Sequence, residues 1–232
     1  MDEIYHVHNR SIGEINIFTN EYEYSRFIDA VRFYKTGKPQ IKFSDFLEQR
    51  SHLRGGLGWE RSLSEKEKVV DIIAYCIMPT HFHLLISQTK AAGIAFFIGN
   101  LLNSYTRYFN VKYKRKGTLW EGRTKKVTLR SDEQLLHLTR YIHLNPVTAY
   151  LVDKPEDWVW SSYREYLLKV PPGRKLCSYG SLLEINPDSY KKFVEDGISY
   201  QREMAKAKKD KPTYEVGEVG FNVNTKIPDP TS

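Results

Sequence analysis

An apolar run occupies residues 72–86, Ile72-Ile73-Ala74-Tyr75-Cys76-Ile77-Met78-Pro79-Thr80-His81-Phe82-His83-Leu84-Leu85-Ile86. Recurrent β-branched residues and the break at Pro79-Thr80 predict a buried strand pair, or one long interrupted strand. Side chains alternate faces along a strand, so His81 and His83 share one face and Phe82 points to the other. Upstream, Ile4 to Asn9 alternates and predicts a first strand, while Ile15 to Phe18 reads as a second strand or the start of a loop. Asn20 is placed to cap a helix over 21–34, whose Tyr24, Phe27, Ile28 and Val31 fall at helical spacing. Residues 36–66 are polar, with a short helix expected near 43–49. Their glycine cluster, Gly55, Gly56 and Gly58, lacks the strand-to-helix context of a phosphate loop and reads as a flexible connection.

Downstream, Phe97, Leu101, Tyr105 and Phe109 recur every four residues and predict an amphipathic helix over 94–112. A turn at 118–123 leads to a short strand over 126–129. Ser131 and Gln134 form a capping-box pattern that opens another helix, with Leu135, Leu136, Leu138 and Ile142 along it. Pro146 is expected to end that helix or to mark the bend just after it. A turn at 154–158, an aromatic segment at 160–167 and one or two short helices within 179–194 complete the pattern. From about 206 onward the composition predicts disorder. The chain thus divides into a first domain, 1–170, and a C-terminal extension, 171–232. The fold class is α+β, an antiparallel sheet of four or five strands covered on one face by helices.

Composition narrows the function classes. With 41% hydrophobic and 27% charged residues, the 232-residue chain reads as globular, with neither a signal-peptide pattern nor a run of transmembrane length, and the cytoplasm is the expected location. Cys76 and Cys177 make no disulfide framework, and Cys76 is expected to be a buried thiol. The net charge of +7 is concentrated: between Leu101 and Arg130 nine cations face the single acid Glu121. Tyr105, Tyr108, Phe109, Tyr113 and Trp120 are interleaved with them. Cations for phosphates and aromatics for bases make a nucleic-acid surface the reading, against the plainer one of a solvated basic face. Arg107, Tyr108, Lys112, Lys114, Arg115, Lys116, Trp120, Arg123, Lys125 and Lys126 are the candidate contacts. Glu121 would repel a phosphate there. Tyr105 is expected in the core, and Tyr108 or Tyr113 to stack on bases.

Two imidazoles on one strand face can bind a divalent ion, or simply sit at a half-solvated surface. On the capped helix Tyr141 and Asn145 are four apart and lie on one face, with His137 a turn earlier and His143 pointing elsewhere. If that face meets the histidine strand, the result is a His, His, Asn site with a tyrosine beside it, suited to Mg²⁺ or Mn²⁺.

These residues resemble the single-tyrosine HUH transposases, most nearly their REP-associated branch. The resemblance rests on Pro79-Thr80-His81-Phe82-His83-Leu84-Leu85, Ser104 to Asn110, Gly117 to Arg123, Tyr141-Ile142-His143-Leu144-Asn145-Pro146 and Trp158 to Tyr163, in the family's order. It spans roughly 5–167. It implies a ferredoxin-like or RNA-recognition-like sheet and an enzyme that nicks and rejoins hairpin-bearing single-stranded DNA, from repetitive palindromes or element ends. Tyr141 would be the nucleophile, forming a 5′-phosphotyrosine. His81 and His83 would bind the divalent metal, Mg²⁺ or Mn²⁺, with Asn145 at the third ligand position. His6-Val7-His8 is a second pair outside that motif, and His137 is a rival proton acceptor. The alternative is a domesticated nucleic-acid-binding protein without cleavage, and monomer and homodimer both remain open.

Overall fold

The computed structural model describes residues 3–37, 41–52 and 67–209; the glycine cluster at 55–58 lies outside them. Four strands, β1 (Ile4–Arg10), β2 (Val70–Ile77), β3 (His81–Gln88) and β4 (Lys125–Thr128), form one antiparallel sheet in the order β2-β3-β1-β4. The apolar run is therefore a strand pair. Pro79 and Thr80 make its two-residue turn, closed by the Met78 amide on the His81 carbonyl at 2.8 Å. The turn is clasped from outside: Ile17 and Phe18 donate to the Pro79 carbonyl, and Ser11 donates to that of Thr80. Ile15 to Phe18 is thus a loop that buries Ile17 and Phe18, not a strand.

Helices cover both faces of the sheet, where one covered face was expected. On one side Tyr5, Val7, Ile72, Phe82, Leu84 and Ile86 meet α1 (Glu21–Tyr34), α2 (Phe43–His52) and α3 (Gly93–Lys112). On the other, Ile4, Ile73, Ala74, Cys76 and Leu85 meet α4 (Asp132–Thr148) and the short helix α5 (Tyr163–Tyr166). A β-bulge between Ile72 and Ala74 shifts the β2–β3 register and turns Ile73 and Ala74 toward the same side. Among the described residues no helix is long and apolar enough to cross a membrane.

Local sequence accounts for the helix ends. Asn20 accepts from the Glu23 amide at 3.2 Å and Ser131 from the Gln134 amide at 3.2 Å, so both predicted caps form. Contrary to expectation, α4 runs through Pro146 to Thr148. Proline supplies no N–H for the Ile142 carbonyl. The Asn145 side-chain amide takes up the deficit, donating to the carbonyls of Tyr141 (2.9 Å) and Ile142 (3.4 Å).

Two buried carboxylates hold the layers together, and neither stands out in the sequence. Glu23 accepts from the Thr19 amide and hydroxyl, from Lys112 Nζ at 2.8 Å and from the Tyr113 hydroxyl at 2.6 Å, tying the start of α1 to the end of α3. Glu165 accepts from the Leu176 and Cys177 amides, both at 2.9 Å, and from the Tyr75 hydroxyl. The extension is thereby drawn onto the sheet, where the Ser178 amide also donates to the Ile72 carbonyl at 2.8 Å. Beyond it α6 (Pro187–Glu195) and α7 (Ile198–Lys209) lie against α4. Gln201 donates to the Tyr141 carbonyl and Arg202 to that of Val147, each at 3.2 Å. Helix α7 thus continues past the point where disorder was expected.

Two outcomes follow from this packing. A methyl group at Gly93 would lie 2.2 Å from the backbone oxygen of Val69. Gly93→Ala should therefore cost about 2–3 kcal/mol of overpacking, measurable by urea denaturation. Burial raises the Glu23 carboxyl pKa, but the hydrogen bonds from Lys112, Tyr113 and Thr19 outweigh it and hold the group below the usual carboxylate value. With a depressed folded pKa, this stabilisation is present above the unfolded value and is lost as pH falls through the folded one. Thermal melting between pH 6 and 3 should show a steeper acid loss for the natural protein than for Glu23→Gln, which starts lower at neutral pH. Parallel curves would count against the role given to Glu23.

Candidate functional site

The β1–β3 pairing sets His8 opposite His83 and Arg10 opposite His81, and it brings His6 to the same face. Four imidazoles result, side by side. His6 stacks on His8 (ring centroids 4.9 Å) and on His83 (5.2 Å), while His81 stands perpendicular to His83 at 5.3 Å. His6 Nε2 and His83 Nδ1 share a hydrogen bond at 3.0 Å; His81 Nδ1 bonds the Thr80 hydroxyl, also at 3.0 Å. In both motif histidines the nitrogen with no hydrogen-bond partner among the described residues is Nε2. The second pair, His6 and His8, thus belongs to the same cluster, a convergence that only the strand order reveals.

Burial keeps these rings neutral. It lowers His6 to about 3, with His8 adding to the effect, and lowers His81 to about 4, with His8 and Arg10 adding. His83, deepest in the cluster, is pushed well below its ordinary value, and His8 is lowered by burial and by Lys125. Neutral imidazole is the metal-binding form, and a ring held through its other nitrogen is already oriented. His81 and His83 fit a metal in both respects. Among the described residues no three His, Cys, Asp or Glu side chains are grouped to hold one.

Tyr141 reaches this cluster from α4. Its ring lies edge-on to His83 (5.7 Å) and to His6 (6.3 Å), and burial raises its phenol pKa above the ordinary value, with Cys76 adding. Asn145 follows one turn later, half-buried, with its amide nitrogen on the helix carbonyls. His137 turns away: Nδ1 meets the Arg140 guanidinium at 3.0 Å and the ring meets Phe193. His143 is fully buried, between the Ser162 and Tyr190 hydroxyls at 2.7 Å each, and serves the core.

The basic segment ends beside the same cluster. The Ile12 amide donates to the Leu119 carbonyl, and the Glu121 amide to that of Arg10, which fastens 119–121 to the end of β1. Its candidate contacts divide. Arg107, Lys114, Lys116, Arg123, Lys125 and Lys126 are exposed, and Lys125 sits opposite His8. Lys126 also covers the Tyr5 ring at 4.2 Å, and Arg115, half-exposed, bonds Asn110. Trp120, expected at the surface, is buried against Phe27, Phe82 and Tyr105 with its indole N–H on Thr106. Lys112 and Tyr113 are committed to Glu23, and the Tyr108 ring lies beneath the Arg26 guanidinium at 4.2 Å. Tyr105 is buried, as expected. The acid Glu121 is neutralised by an ion pair with Arg10.

Comparison with known proteins bears on this site. Residues 60–145 match the family model described as "Transposase IS200 like". A candidate REP-associated tyrosine transposase of Haemophilus influenzae is 32% identical over 104 residues, covering 40% of this chain; the chain spans 58% of that relative's length. A solved structure described as the REP-associated tyrosine transposase bound to a REP hairpin aligns over 80% of this chain and 94% of its own, at 14% identity and a TM-score of 0.48. A solved candidate transposase from Deinococcus radiodurans aligns over 61% and 89%, at 16% identity and 0.35. The matched stretch carries the histidine hairpin, the basic helix and the tyrosine helix. Over residues 60–145 this chain is thus similar to the IS200-like transposase family.

Proposed function

We propose that this protein nicks and rejoins hairpin-bearing single-stranded DNA, with Tyr141 as nucleophile and with Mg²⁺ or Mn²⁺ bound by His81, His83 and Asn145. The observation that carries this reading is convergence: the Tyr141 ring meets His83, and the exposed cations of 123–126 run along the neighbouring strand. When bound, the metal withdraws charge from a phosphate oxygen and makes phosphorus more electrophilic. The chain's own residues do the rest. The exposed cations Arg107, Lys114, Lys116, Arg123, Lys125 and Lys126 hold the strand by its phosphates and give binding that weakens with salt. The Tyr141 oxygen forms a bond to phosphorus as the bond to the 3′ oxygen breaks, leaving a 5′-phosphotyrosine and a 3′-hydroxyl. The phenol loses its proton and the departing oxygen gains one. Tyr141 is a weak nucleophile while protonated, and its burial keeps it so until a base takes the proton. Neutral imidazoles of His6 and His83 stand beside its ring, whereas His137 is turned to Arg140 and Phe193. The covalent link conserves the bond energy, so joining to another 3′ end needs no nucleotide cofactor.

A second reading, a cytoplasmic DNA-binding protein without cleavage, is supported by the burial that holds the Tyr141 phenol in its protonated, weakly nucleophilic form. One gel separates the two. Labelled hairpin-bearing single strand incubated with Mn²⁺ should give a covalent band at protein mass. Tyr141→Phe and His81→Ala should lose that band while both retain hairpin binding. Binding by the natural protein with no adduct would establish the second reading, and adduct formation by Tyr141→Phe would remove Tyr141 from its role.

A further inference from the structure

Arg10 lies outside the family-matched stretch, yet it stands at the edge of the histidine cluster. It is the strand partner of His81, and directly opposed residues of an antiparallel pair share a face. Its guanidinium grips Glu121 with both arms: Nε meets one carboxylate oxygen and Nη2 the other, the latter at 3.2 Å. The remaining arm, Nη1, meets Glu14 at 2.9 Å. A carboxylate held by an arginine fork presents two oxygens to it as a phosphodiester does.

The pair is also easily exchanged. About half of each side chain is open to solvent, 54% for Arg10 and 47% for Glu121. Exposed ion pairs contribute little net stability, so little holds the arginine to this partner when another anion is offered. The backbone bonds of Arg10 and Ile12 to 119–121 would keep both groups in place when the side chains part. Lys125, opposite His8 on the same strand's other neighbour, adds a second cation at this end of the sheet. An acid otherwise out of place in the basic segment thereby gains a purpose.

We propose that Arg10 is a catalytic phosphate ligand, and that Glu121 occupies its fork in the free protein as an internal stand-in for the DNA phosphodiester beside His81. On binding, the guanidinium passes from the carboxylate to two phosphate oxygens, and Glu121 swings to solvent. No covalent bond changes in this exchange. The catalytic part rests on the nicking reading above; the phosphate contact does not.

The test compares Arg10→Gln, Arg10→Lys and Glu121→Gln in the full chain, in two assays. In the first, affinity for a labelled hairpin-bearing single strand is measured in EDTA at several salt concentrations. Arg10→Gln should weaken binding about tenfold and flatten the log–log salt slope by about 0.7. Glu121→Gln should tighten binding several-fold. In the second, adduct formation is timed at saturating DNA with Mn²⁺. Arg10→Gln should slow it about 100-fold, as expected for losing one charge-stabilising donor. Arg10→Lys, which keeps the charge without the fork, should keep the salt slope and still be slowed at least tenfold. Glu121→Gln should be as fast as the natural protein or faster. If Arg10→Gln and Glu121→Gln weaken binding alike, the pair is a structural staple and the proposal fails. Unchanged affinity and slope in Arg10→Gln would also overturn it. If the natural protein forms no adduct, the nicking reading falls, while the metal-free affinities still decide whether Arg10 holds a phosphate.

Discussion

The antiparallel ladder between β1 and β3 decides which side chains share a face, because a slip of one residue would turn every side chain of the slipped strand to the other face. In the register adopted, His8 meets His83 and Arg10 meets His81, so four imidazoles and one guanidinium line a single surface. Tyr5, Val7, Phe82 and Leu84, pointing the other way, enter the core under α1 and α3. The same alternation that buries the apolar half of the ladder therefore gathers the polar half. A shifted register would drive histidine into the apolar layer under α1 and α3 and set phenylalanine and leucine beside Tyr141, and that cost keeps the polar cluster assembled.

The burial that makes the cluster also sets its chemistry. Desolvation disfavours charge, so the histidines stay neutral and the tyrosine stays protonated. Neutral imidazoles are ready to ligate or to accept a proton, but a protonated phenol is not ready to attack. On the proposed reading, the free protein is thus organised for binding ahead of chemistry. Around this interior the cations remain at the rim, where phosphate can reach them without any charge being buried.

Much of this was legible in the sequence, and the remainder had identifiable reasons for being hidden. The alternation around Phe82, the caps Asn20 and Ser131 and the four-residue stripe from Phe97 to Phe109 depend on neighbours within a turn or two, and they read correctly. The convergence of His6 and His8 on His83 depends on strand order, which local periodicity does not encode. Trp120, Lys112 and Tyr113 read as a nucleic-acid surface because composition cannot separate an aromatic that enters the core from one that faces out. Nor does it show that a cation has a buried acid, Glu23, some ninety residues away. The helix ran past Pro146 because the preceding asparagine supplies the hydrogen bond that proline lacks, an arrangement propensity rules do not weigh.

Helices α6 and α7, laid along the outside of α4, have a consequence for how the protein comes into being. They are the last described segments to be synthesised, and they cover the helix that carries Tyr141. Until they emerge from the ribosome, the outer flank of that helix lacks Tyr190 and Val194 and the bonds to Gln201 and Arg202. The histidine ladder can form much earlier, from residues complete by Gln88. The nascent chain therefore acquires its imidazole face first and a firmly seated tyrosine only near the end.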